Sequence, residues 1–190
     1  MQTKPNFINR PKGSFIEFGF LLNGKEKQMM IFQNLFGKDN GIVIAAPVSG
    51  KLVSLKEVSD PMFSEEILGK GVAIIPDDGK IYAPADGTVH TVFPTGHAVA
   101  MTSRNGAEIL IHVGLDTVKL DGRHFTIHAS AGQEVKKGEL LLEADVEQIK
   151  AEGYDIVTPI IIYNADSFAE FKVAETVNVA SGDEILTMRQ

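Results

Sequence analysis

Ala46-Pro47-Val48-Ser49-Gly50-Lys51-Leu52-Val53 is echoed by Ala83-Pro84-Ala85-Asp86-Gly87-Thr88-Val89. Both copies carry an Ala-Pro-x-x-Gly frame, and in both a tight turn runs directly into a valine- or leucine-bearing strand. Proline fixes φ and glycine tolerates conformations closed to other residues, so the frame specifies a turn. A related phrase, Ala131-Gly132-Gln133-Glu134-Val135-Lys136-Lys137-Gly138-Glu139-Leu140, follows the same rhythm. The repeat predicts two similar half-folds closing over one core.

Outward from these turns, short apolar runs alternate with glycine- and proline-marked breaks. Strands are expected at 41–45, 51–55, 72–76, 80–83, 88–93, 98–103, 108–113, 140–144, 156–163, 172–179 and 184–188. Asp77-Asp78-Gly79 and Arg104-Asn105-Gly106 read as turns, the second as a hairpin because Asn-Gly accepts positive φ. Helical signals are few. Asp60 caps a helix with Pro61 at its first position, running through Phe63 and Ile67 to Gly69. Asp145 caps another that Gly153 stops. The expected fold is all-β: a mostly antiparallel sandwich or barrel of short strands, internally duplicated, with one or two connector helices.

The 190 residues, 44% hydrophobic, suffice for one core. Charge is unevenly placed: residues 1–40 carry a net +3 and residues 41–190 a net −10. An acidic body argues against nucleic-acid binding, which needs cations on one face. Absence of cysteine removes disulfides, thiolate nucleophiles and cysteine–zinc sites. No apolar run is long enough to span a membrane. The head, 1–40, reads as a flexible extension. Met30, Phe32, Leu35 and Phe36 offer an amphipathic turn within it, and Met29 or Met30 an alternative start.

Without thiols, chemistry concentrates on His90, His97, His112, His124 and His128. Alternation along Glu108-Ile109-Leu110-Ile111-His112-Val113 puts Ile109, Ile111 and Val113 in the core. It places His112 on a partly apolar outer face. His97 follows the turn Phe93-Pro94-Thr95-Gly96, which can aim it at a neighbouring strand. If the two histidines meet, two readings stand open. They supply two nitrogens to zinc, or they form a nucleophile and its electrostatic partner for phosphoryl transfer.

Three phrases taken together carry a resemblance that covers the chain from about Gly41 to the C-terminus. They are Ala46-Pro47-x-x-Gly50, Phe93-Pro94-Thr95-Gly96-His97-Ala98 and Glu108-Ile109-Leu110-Ile111-His112-Val113-Gly114-Leu115-Asp116-Thr117-Val118. The chain resembles the glucose-type IIA component of the bacterial sugar phosphotransferase system. The resemblance implies a phosphocarrier in which His112 accepts a phosphoryl group from the small histidine carrier HPr. The group then passes to the IIB domain of a sugar permease. By the same resemblance, His97 assists near the phosphoryl oxygens and Thr95 orients it. Met62, Phe63, Ile67, Leu68, Phe93, Leu110 and Val118 match an apolar docking ring, with Asp60 and Asp116 at its acidic rim. Phe63, Phe93 and Val118 are expected at the surface.

Also implied are a cytoplasmic location, transient complexes of a monomer and no required cofactor. His90, His124 and His128 match no catalytic role. A regulatory variant of the same reading has the protein bind permeases or metabolic enzymes, with His97 and His112 sharing zinc at the partner interface. A lysostaphin-like zinc peptidase is the remote rival, through the HxxxD phrase at His112–Asp116. It lacks a correctly spaced HxH, since His124 and His128 stand too far apart. A lipoyl-like module fits the rhythm of 131–143 but has no lysine in the expected hairpin.

Overall fold

The computed structural model describes residues 41–190; the expected extension, 1–40, lies outside the described residues. The chain forms β1 (Ile42–Ala45), β2 (Gly50–Ser54), helix α1 (Pro61–Ser64) and β3 (Lys70–Pro76). There follow β4 (Lys80–Tyr82), β5 (Gly87–Val92), β6 (Ala98–Ser103), β7 (Glu108–His112), β8 (Phe125–Ile127), β9 (Glu134–Val135) and β10 (Leu140–Ala144). Helix α2 (Val146–Ala151) leads into β11 (Thr158–Ile162), β12 (Glu170–Val173), β13 (Asn178–Val179) and β14 (Glu184–Arg189).

One large sheet has the order β13-β2-β3-β11-β7-β6-β5-β9; two three-stranded sheets, β1-β14-β12 and β4-β10-β8, accompany it. The pairings are antiparallel. The duplication is real and one half is inserted in the other. The continuous run β4–β10 stands between β3 and β11. Gly50 pairs with Val179 and Pro76, and Gly87 with Val135 and Ser103. A Cβ at Gly50 would lie 2.2 Å from the Ile75 carbonyl oxygen; at Gly87, 2.2 Å from that of Thr102. Glycine is required at both because a neighbouring backbone occupies the side-chain position.

The phrase at 131–140 is not a third Ala-Pro turn. Its counterpart is the segment through Val179-Ala180-Ser181-Gly182-Asp183. Gly138 N–H donates to the Ala83 carbonyl as Gly182 N–H does to that of Ala46 (2.8 and 2.9 Å), and the Glu139 and Asp183 carbonyls accept from Ala83 and Ala46 in return. Sequence similarity there is carried by a valine, a glycine and an acidic residue, too little to read unaided.

Some expected elements change. The strand at 172–179 divides into β12 and β13, which belong to different sheets, so residues between them must cross over. The helix expected through Leu68 stops at Ser64, and Glu66 adopts φ 55° as the chain reverses toward β3. Asp60 does cap it, accepting from Met62 N–H. The very short β8 and β9 were not anticipated.

Alternation on the large sheet produces two apolar layers. Leu52, Val72, Ile74, Val99, Met101, Ile109, Ile111, Ile160 and Ile162 join residues of the small sheets in the main core. On the opposite face, Val53, Ala73, Ala98, Leu110 and Ile161 form a second cluster, with Leu55, Val58 and Phe63 from the β2–β3 connection and Leu115 and Val157. His112 stands at this second layer's edge. Among the described residues no helix is long and apolar enough to cross a membrane.

Candidate active site

His112 ends β7, and His97 immediately precedes β6. Ala98 pairs with His112 across these strands, and Val113 N–H donates to the His97 carbonyl at 2.7 Å. The register thus brings the two imidazoles together, centroids 4.9 Å apart and 75° between planes. Phe63 packs on His112 at 5.2 Å and Phe93 on His97 at 5.4 Å, giving a row of four rings.

Each histidine is held by its Nδ1. That of His112 lies 2.8 Å from the Gly114 carbonyl. A carbonyl only accepts, so Nδ1 carries the proton and Nε2 keeps its lone pair. Gly114 reaches this position at φ +73°. His97 Nδ1 lies 2.6 Å from Thr95 Oγ1. The turn before it depends on Gly96, at φ +68°, where a Cβ would stand 2.7 Å from Phe125 Cβ.

Burial lowers the affinity of both rings for a proton. His97 is pushed down to about 4, by burial first and by His112 second. His112 is also lowered by burial, opposed by its bond to Gly114 and by the charge of Asp60. Both are neutral at neutral pH, as a nitrogen nucleophile must be.

The expected docking residues divide by depth. Met62 (42% exposed), Ile67 (59%), Phe93 (37%) and Val118 (49%) are accessible, and Asp116 is exposed. Phe63 and Leu110 are each only 4% exposed. For Phe63 this corrects the surface position expected of it: α1 turns its ring inward against the second cluster. Leu68 and Asp60 are half-buried. Sequence reasoning missed Ile127, exposed on β8 beside Gly96; its signal, an apolar residue in a polar run, was weak.

The remaining histidines lie outside this row. His90 bonds Thr102, His124 Glu152 and His128 Glu143. No three His, Cys, Asp or Glu side chains gather as a metal-holding group among the described residues. The Asp116 carboxylate, which a zinc peptidase would direct at the metal, is paired with Lys119 at 2.8 Å. The histidine pair alone offers two nitrogens, short of a tetrahedral set.

Residues 42–168 match the family model for EIIA 1 of the phosphoenolpyruvate-dependent sugar phosphotransferase system. The chain belongs to this EIIA family. That family is the one its motifs resemble. The EIIA domain is 45% identical over 146 residues to the beta-glucoside-specific EIIBCA component of Bacillus subtilis (strain 168), covering 77% of this chain and 24% of that protein. It is 41% identical to the glucose-specific EIIA component of Oceanobacillus iheyensis, covering 80% of this chain and 95% of that protein. Its fold is similar to the glucose permease IIA from Mycoplasma capricolum, with TM-score 0.72 and 34% identity over 78% of this chain and 96% of that one. The chain spans about a quarter of the length of the EIIBCA relatives it matches.

Proposed function

We propose that His112 Nε2 takes a phosphoryl group from the phosphohistidine of HPr and passes it to the IIB domain of a sugar permease of the beta-glucoside or glucose type. The observation that carries this reading is the 2.8 Å bond from His112 Nδ1 to the Gly114 carbonyl, which leaves the outer nitrogen free. In the step, the Nε2 lone pair forms the new P–N bond while the donor's P–N bond breaks. The donor imidazole keeps that electron pair. Positive charge arriving on the His112 ring is met by the Gly114 carbonyl. Transfer to IIB repeats the exchange, with His112 as the leaving group.

His97 acts in its neutral form. With the Thr95 hydroxyl donating to Nδ1, the His97 proton sits on Nε2 and donates to a phosphoryl oxygen. Such donors matter most where charge spreads over the equatorial oxygens during transfer. Met62, Ile67, Phe93 and Val118 form the apolar contact around the pair, which excludes water; Phe63 and Leu110 support it from beneath. Asp60 and Asp116 attract a basic partner and hasten encounter. The acidic chain works in the cytoplasm, where its donor and the permease's IIB domain meet it.

The test is transfer of labelled phosphate from enzyme I and HPr to the purified protein. Wild type should acquire acid-labile, alkali-stable label, and His112→Ala none; full labelling of that variant sinks the assignment. His97→Ala should accept phosphate and pass it on poorly. A panel of purified IIB domains then identifies the sugar class.

A further inference from the structure

We propose that Thr117 and Asp155 are positioning residues that determine which nitrogen of His112 is left free. The link is the Gly114–Leu115 peptide. Its carbonyl accepts the His112 Nδ1 proton, and its N–H donates to the Asp155 carbonyl at 2.9 Å. The peptide plane is gripped at both edges. Asp155 is itself fixed by an Asx turn in which Oδ1 accepts from Val157 N–H at 2.9 Å. That turn also presents the Val157 carbonyl to Gly114 N–H at 3.1 Å.

Thr117 acts on the preceding peptide. Its fully buried hydroxyl donates to the Val113 carbonyl at 2.6 Å, while Val113 N–H is held by His97. A Cβ at Gly114 would stand 2.5 Å from Thr117 Cγ2 and 2.7 Å from the Asp155 carbonyl oxygen, so both residues press on this glycine. Gly114 and Asp116 both occupy left-handed backbone, at φ +73° and +60°, a turn that side ties must sustain. Neither Thr117 nor Asp155 touches reacting atoms. If the Gly114 carbonyl rotates away, Nδ1 loses its acceptor and the tautomer protonated on Nε2 gains population. That tautomer has no lone pair at the outer nitrogen.

The consequence of this inference rests on the phosphocarrier reading; its measurement does not. Ring nitrogen-15 chemical shifts of His112 in the unphosphorylated full chain report the ratio of the two tautomers. Thr117→Val and Asp155→Ala each remove one hydrogen bond, and each should lower the Nδ1–H to Nε2–H ratio about 5-fold. Thr117→Ser and Asp155→Asn keep the bond and should keep the wild-type ratio. Folded Thr117→Val and Asp155→Ala proteins with unchanged ratios overturn the proposal. If Thr117→Val does not fold, Asp155→Ala decides, because its side chain is exposed. Wild type that takes no phosphate from HPr, while these ratios shift as expected, defeats the phosphocarrier reading and leaves the positioning role standing.

Discussion

The imidazoles of His97 and His112 meet edge to face, 4.9 Å between centroids, although one comes from the turn before β6 and the other from the end of β7. The Ala98–His112 register sets the separation. Their Nδ1 atoms meet different partners: one ring faces a carbonyl that only accepts, the other a hydroxyl that can donate. Two chemically identical side chains are thereby made unequal.

That inequality extends to pH. His97 is held down to about 4 from an ordinary 6.5, first by burial and then by His112. Between these values the unfolded chain binds more protons than the folded one, so stability falls as pH drops through the window. The contribution is complete above 6.5 and lost by about 4. Denaturant midpoints for wild type and His97→Gln across this range measure it. Wild type should lose the more; parallel curves would refute the shift.

Thr95→Val removes the 2.6 Å bond to His97 while preserving shape. Loss of one hydrogen bond predicts roughly a 5-fold slower onward transfer, with little change in stability. Thr95→Ser should restore the rate. Single-turnover transfer to a IIB domain distinguishes these, and an unaffected valine variant would remove Thr95 from the mechanism.

Phe63 and Val118 should behave oppositely. Phe63→Ala empties a buried site and should cost about 3–5 kcal/mol in unfolding free energy. Val118→Ala changes an exposed side chain and should cost under about 0.5 kcal/mol, yet weaken association with HPr. Urea titrations and association kinetics on both variants check the division.

Gly50→Ala and Gly87→Ala test the duplication. Each places a Cβ against a carbonyl oxygen of the adjoining strand. Both should lower stability by more than about 1 kcal/mol, and by similar amounts. A tolerated change at either position would show that the two halves are not held alike.

Much of this protein is dictated locally. The Ala-Pro-x-x-Gly turns, the Asn105-Gly106 hairpin and the alternation in Glu108–Val113 express backbone sterics and the two-residue period of a strand. Zero cysteine and the motif around His112 direct attention to a histidine nucleophile. Tertiary structure decided what lies beyond that range. The 131–140 phrase found its partner only through the hydrogen bonds of Gly138 and Gly182 to the two Ala-Pro turns. Phe63 looked like a surface aromatic because a short helix has no fixed inward face until a sheet covers it. His97 and Thr95 could be named from a motif, but the neutrality of His97 depends on burial, and the selection of His112 Nε2 on the turn that aims the Gly114 carbonyl at Nδ1. Sequence specifies the groups; only packing fixes the field and the direction in which each nitrogen points.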